Sequence, residues 1–275
     1  MKPFVLIWGG GDLASGVAIR LYRVGIHILV VETAQPTAVR RSVAFAQAVY
    51  DGETTIEGTV GRLIGCPEEM LSCWKEDAVP VMVDPELELI SVFKPLVLVD
   101  GRMRKTRDAL SLNMAQLVVG LGPGFTVGEN CHAAIETNRG HFLGRVYWQG
   151  SPQANTGIPG KVEGFTRERV LYAPIDGIVQ TLVDFGDHVQ PGDPVLMIGD
   201  QTVKTSLAGV VRGLIHPGIW VKHGTKVADI DPRPEDFRCR AVSEKALAIG
   251  GGVLEAILTK PEIRAALWNE SDSWT

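Results

Sequence analysis

Apolar and polar positions along the chain fall into two regimes that meet near residue 160. Residues 4–8 are an unbroken apolar run with β-branched members, the pattern of a strand buried on both faces, and Gly9-Gly10-Gly11 ends it. Ala14, Val17, Ala18, Leu21 and Val24 then recur at helical spacing, Gly25 stops the helix, and residues 26–32 form a second apolar run closing on Glu32. The pattern is strand, helix, strand. Shorter apolar runs at 79–83, 96–100 and 117–121, each followed by Gly, Pro or Asp, predict further strands of one mostly parallel sheet. Residues 37–50 and 68–74 are predicted as helices between some of them.

Beyond residue 160 helical spacing gives way to short strands among Gly, Pro and Asp turns. A shift of 32 residues without a gap aligns Gly177 with Gly209, Val179 with Val211, Leu182 with Leu214, Gly186 with Gly218, Val189 with Val221, Gly192 with Gly224 and Val195 with Val227. Two copies of one small β-unit account for this, since neither copy alone would bury an apolar core. From Ser243 helical spacing returns through Ala246, Leu247, Ile249, Val253, Leu254, Ile257 and Leu258. Gly250-Gly251-Gly252 in its middle cost about 3 kcal/mol relative to alanine, which predicts close packing of that backbone against another element. The expected organisation is α/β: a Rossmann-like, mostly parallel domain over residues 1–160, the two-repeat β-unit over 161–232, and a helical segment over 233–275 returning to the first domain.

Composition narrows the function classes. A chain of 275 residues, 45% hydrophobic and 21% charged, with 27 Lys+Arg against 32 Asp+Glu and a net charge of −5, fits neither a disordered segment nor a generally nucleic-acid-coated surface. No run approaches the ~20 apolar residues that cross a bilayer, and the first apolar run is short for a signal peptide. The expected setting is therefore the cytoplasm, with no membrane or nucleic-acid partner. Cys66, Cys73, Cys131 and Cys239 form no C-x-x-C pair, which argues against a disulfide scaffold or a thiolate zinc site; no metal is expected.

Three loops carry candidate chemistry. Gly9, Gly11 and Ala14 form G-x-G-x-x-A between a strand and a helix, and Glu32 follows Gly11 by 21 residues, where dinucleotide-binding folds place the acid that receives a ribose hydroxyl. Asp12 puts a carboxylate beside the supposed phosphates, where it points away, binds a metal or caps the helix, and the loop is also readable as a tight turn. Arg102, Arg104, Lys105 and Arg107 follow the strand at 96–100, where open α/β sheets bind ligands. Gly122 and Gly124 lie in a third loop whose amides suit an anion. Glu136, Arg139 and His141 are close enough in sequence to act as an acid/base group or to hold a turn, and Cys131 and His132 before them are expected to be structural.

Residues 173–177, followed by Gly186-Asp187-His188-Val189 and Gly192-Asp193, resemble a biotinyl/lipoyl-like hybrid barrel. Its Met-Lys-Met attachment site is absent: Met197 to Lys204 occupy that hairpin, so a swinging-arm carrier is not expected. Taken together, the segments at 9–16, 38–46, 120–125, 136–141 and 248–255, with the β-repeat, resemble the accessory proteins of selenium-dependent molybdenum hydroxylase systems, found beside xanthine-dehydrogenase-type enzymes. The resemblance implies maturation or insertion of the molybdenum cofactor, a phosphorylated nucleotide or pterin-type ligand, and a molybdenum hydroxylase as partner. A free-standing NAD(P)-dependent oxidoreductase and a non-catalytic docking module are the alternatives.

Overall fold

The computed structural model describes residues 2–103, 111–157 and 160–268. Its first part is one sheet built from β1 (Val5–Trp8), β2 (Ile28–Glu32), β3 (Glu53–Ile56), β4 (Thr59–Leu63), β5 (Ala78–Val83), β6 (Val97–Asp100), β7 (Leu117–Leu121), β8 (Ala133–Ile135) and β9 (Val146–Tyr147). The strand order is β3-β4-β5-β2-β1-β6-β7-β8-β9. From β4 to β8 every neighbouring pair is parallel, while β3 and β9 close the two edges as antiparallel hairpin partners. The helices are α1 (Asp12–Tyr22), α2 (Ala48–Asp51), α3 (Met70–Lys75), α4 (Ile90–Phe93), α5 (Glu244–Leu258) and α6 (Pro261–Leu267).

The apolar run at residues 4–8 is continuous because both faces of β1 are covered. Val5 and Ile7 pack with α1 and α5, whereas Phe4, Leu6 and Trp8 pack toward Met70, Cys73 and Trp74. The glycines in α5 lie against backbone: a Cβ on Gly250 would crowd the Gly16 carbonyl, and one on Gly252 would run into that of Gly144. A Cβ on Gly16 would in turn meet Ala246, so α1 and α5 approach through small residues on both sides.

The second part comprises β10 (Val170–Tyr172), β11 (Gly177–Thr181), β12 (His188–Val189), β13 (Pro194–Ile198), β14 (Gln201–Lys204), β15 (Gly209–Leu214), β16 (Trp220–Val221) and β17 (Lys226–Asp231). Residues 32 apart occupy equivalent strands, and the copies interlock: β12 pairs with β15, and β16 pairs with β11. The sheets are β10-β17-β15-β12 and β14-β13-β11-β16, enclosing Val179, Val195, Val211 and Val227 among others.

These observations correct the fold expected from sequence in two respects. In place of a Rossmann-like domain there is a nine-stranded mixed sheet, parallel from β4 to β8 and antiparallel at both edges. Its edge strands join their neighbours without crossover helices: Glu57 and Gly58, with φ of 47° and 83°, supply the tight β3–β4 hairpin turn, and a longer loop over residues 136–145 leads from β8 to β9. In place of a biotinyl/lipoyl-like hybrid barrel there are two separate four-stranded antiparallel sheets, and among the described residues no strand pairing closes one onto the other.

Residues 37–50 also depart from the predicted helix. Apart from two short 3-10 turns and α2, they form a strap stitched to the β-unit. Leu214 N–H donates to the Val39 carbonyl at 2.7 Å, and Arg41 Nε donates to the Leu214 carbonyl at 2.7 Å. Backbone groups satisfied by another part of the chain are unavailable for a helical ladder. Among the described residues no helix is long and apolar enough to cross a membrane.

Candidate functional site

The loops after β1, β6 and β7 meet at the end of the central strands, but the protein's own side chains fill that crevice. Asp100 is fully buried and takes a bidentate ion pair from Arg102, at 3.0 Å to Nε and 2.5 Å to Nη2. The same guanidinium lies over the Trp8 ring, 3.1 Å from its centroid, and a Cβ on Gly9 would crowd the Arg102 backbone and Cγ. Arg102 is thus committed to holding two strand ends together. Arg104, Lys105 and Arg107 lie outside the described residues.

Glu32 is committed as well. Its two carboxylate oxygens accept the backbone N–H groups of Gly10, at 2.7 Å, and Thr33, at 2.8 Å. The Gly10 carbonyl accepts from Ala46 N–H and from the Ser15 hydroxyl, so the strap covers one side of the glycine loop. Ala14 is buried, with its methyl where a Cβ on Gly101 would fall. Gly11 has open space around it, and Asp12 begins α1 without a side-chain cap at Gly11.

In the third loop Gly122, at φ 91°, leaves no room for a side chain beside Thr137, and the Gly124 carbonyl accepts from Asn130 Nδ2. The room beside Gly120 is filled by Phe125. Glu136 is fully buried and accepts the N–H groups of Asn138 and Gln153, which makes it a loop organiser. His141 is exposed and edge-on to Phe142. Buried Cys131 has its thiol pushed up to about 12 by burial, and His132 Nδ1 accepts from Val118 N–H; both are structural in this setting. Of Glu136, Arg139 and His141, only Arg139 reaches the cleft described next.

That cleft lies between the mixed sheet's helical face and the β-unit, with a volume of about 650 Å³. The start of α1 (Asp12, Leu13), the start of α5 (Ser243, Glu244, Lys245), the strap (Val39, Arg40) and the β-unit all line it. Eight cationic side chains face it against four acidic ones. The cations are Arg40, Arg139, Lys161, Arg169, Arg212, Lys226, Arg233 and Lys245. Two helix N-termini add their partial positive charge.

Several of these guanidinium groups are buried and incompletely paired. Arg40 is only 6% exposed; its Nη2 donates to the carbonyls of Arg238 and Ala241, but Nε and Nη1 have no hydrogen-bond partner among the described residues. Asp12 Oδ2 stands 3.8 Å from Nη1, beyond hydrogen-bond reach. Arg169 and Arg212 share buried Asp229 through their Nη atoms, and the Nε of each is orphaned. Burial first, and Arg212 next, hold the Arg40 guanidinium down to about 10. Burial, followed by Arg212, Arg169 and Arg233, also lowers Arg139. Buried donors left unpaired cost about 1–3 kcal/mol each, more when charged. Sequence reasoning missed the β-unit arginines, because Arg169 and Arg212 share no motif and meet at Asp229 only in the fold.

A second, shallower depression of about 830 Å³ lies elsewhere on the interface; Arg41 and Arg240 line it opposite Asp51, Asp184 and Asp187. Its charges are more nearly balanced, and no orphaned guanidinium atom lines it.

No family model matches the chain. It is 48% identical over 265 residues to the uncharacterized protein YqeB of Escherichia coli (strain K12), an alignment covering 94% of this chain and 49% of that one. The chain therefore spans about half the length of this curated relative. Among solved structures, the product-bound ectoine utilization protein EutE (DoeB) from Ruegeria pomeroyi shares 12% identity at a TM-score of 0.26, covering 83% of this chain and 85% of that one. A succinylglutamatedesuccinylase/aspartoacylase from Rhodobacter sphaeroides shares 16% at a TM-score of 0.27, covering 83% and 85%. Likeness this distant carries no inference about activity.

Proposed function

We propose that the chain binds a phosphorylated ligand of nucleotide or pterin type in the cationic cleft. The observation that carries this reading is the convergence on one cavity of eight cationic side chains, Arg40, Arg169 and Arg212 among them, against four acidic ones. The volume of the cleft suits a nucleotide-sized molecule, and the start of α1, which has no side-chain cap, suits phosphate oxygens. Maturation or insertion of the molybdenum cofactor, in the cytoplasm and with a molybdenum hydroxylase as partner, is the setting that the sequence resemblance adds; it rests on that resemblance alone. An NAD(P)-dependent oxidoreductase is disfavoured because both oxygens of Glu32 already hold backbone amides and the strap covers the glycine loop.

Calorimetric titration with NAD(H), NADP(H), ATP and molybdopterin cytosine dinucleotide tests the proposal. Saturable binding of ATP or the pterin dinucleotide, weakened in Arg139→Ala, is expected. Tight NAD(H) binding with turnover of a small substrate would overturn it in favour of the oxidoreductase, and silence with every ligand would favour a docking module.

A further inference from the structure

We infer that Lys245 is a carbonyl-reactive amine: an anionic aldehyde or ketone seated in the cleft is attacked by Lys245 Nζ and held there as an imine. This deepens the anion-cleft reading and rests on it for the seating of the ligand. Three features of placement carry the inference. Lys245 lines the cleft from the first turn of α5, directly after the capping residue Ser243, whose hydroxyl accepts from Ala246 N–H at 3.2 Å. A cation at that end of a helix works against the macrodipole. Its sequence neighbour Glu244 is ion-paired to Arg139 rather than to Lys245.

The charged groups acting on Lys245 come from two elements: Arg139 and Glu136 from the loop after β8, and Asp12 from the start of α1. Burial, then Arg139, favour the neutral amine, while Asp12 and Glu136 oppose them; the balance lies below the ordinary lysine value. Desolvation beside another cation is the usual way a protein makes a lysine nucleophilic. The chemistry balances without a redox partner. The neutral amine's lone pair forms the C–N bond, the carbonyl oxygen takes up protons and leaves as water, and the product is an imine. The ammonium proton passes to solvent through the open side of the cleft.

Pyridoxal 5′-phosphate, a phosphorylated aldehyde, serves as the probe on the full chain, with borohydride reduction and peptide mass mapping. Lys161 and Lys226 line the same cleft and act as internal controls. The inference requires label concentrated on Lys245 several-fold over both, loss of that label in Lys245→Arg, slower labelling by unphosphorylated pyridoxal, and protection by inorganic pyrophosphate. Label spread evenly over the three lysines, or undiminished in total in Lys245→Arg, overturns it. If labelling saturates and pyrophosphate protects, but Lys161 or Lys226 carries the label, the anion cleft stands and the reactive lysine falls. Selective labelling of Lys245 that neither the phosphate nor pyrophosphate affects removes the anion seat, and the inference as stated falls with it.

Discussion

Glu32 Oε2 accepts the Gly10 backbone N–H at 2.7 Å, closing the end of β2 onto the glycine loop that follows β1. In a dinucleotide-binding fold an acid at that position would face a ribose; here it braces the loop. Glu32→Ala is expected to cost about 1–3 kcal/mol of stability, the range for charge-assisted hydrogen bonds to backbone amides. Thermal unfolding and ligand titration on the same variant check this. A melting temperature equal to the parent's, with binding lost, would return Glu32 to the ligand site.

Arg102 makes the complementary case. Removing its guanidinium leaves the carboxylate of Asp100 buried and unpaired, a change that costs about 3–5 kcal/mol in buried pairs. Arg102→Met is expected to lower denaturant stability by that order. An unchanged denaturation midpoint would show that the loop after β6 is a solvated surface.

The apolar strands, the two-copy β-unit and the glycine-bearing helix were legible because each shows in the local pattern: continuous apolar runs, a 32-residue shift, and i, i+3, i+4 recurrence. The edge strands β3 and β9 escaped because short, half-exposed strands carry little apolar signal. The strap escaped because its apolar spacing fits a helix, while Val39 and Arg41 take their partners from Leu214, far away in sequence. The candidate site was legible only in part. Asp12 and Arg139 were singled out, but glycine loops that read as ligand cradles serve packing, as Gly120 does for Phe125. The cleft's arginines have no common motif.

The glycine triplet of α5 contains its own control. A Cβ on Gly252 would run into the Gly144 carbonyl, whereas one on Gly251 meets nothing within 4 Å. Gly252→Ala is expected to destabilise by about 1–3 kcal/mol through overpacking. Gly251→Ala is expected to be neutral or to stabilise by up to about 1 kcal/mol, the helix-propensity difference. Paired chemical denaturation reads both, and equal losses would contradict the packing described for this helix.

Acid stability follows from Asp231. Burial alone would raise its pKa, but the hydrogen bond from Arg233, at 2.8 Å to Oδ1, and the charges of Arg233 and Arg212 hold it below the ordinary 3.8. A carboxyl lowered in the folded state contributes stability that is present above its unfolded value and lost as pH falls through the folded one. Arg233→Met is therefore expected to begin unfolding at a higher pH than the parent in an acid titration followed by circular dichroism. Superimposable curves would remove this pair from the acid response.

Binding of inorganic pyrophosphate, measured by calorimetry at low and high salt, tests most directly whether the cleft is an anion site built from both parts of the protein. The parent should bind saturably and more weakly as salt rises. Arg139→Gln on the mixed-sheet wall and Lys226→Gln on the β-unit wall should each cost about 1–3 kcal/mol of affinity without changing the melting temperature. Binding that ignores salt and both substitutions, or no binding by a folded parent, would contradict it.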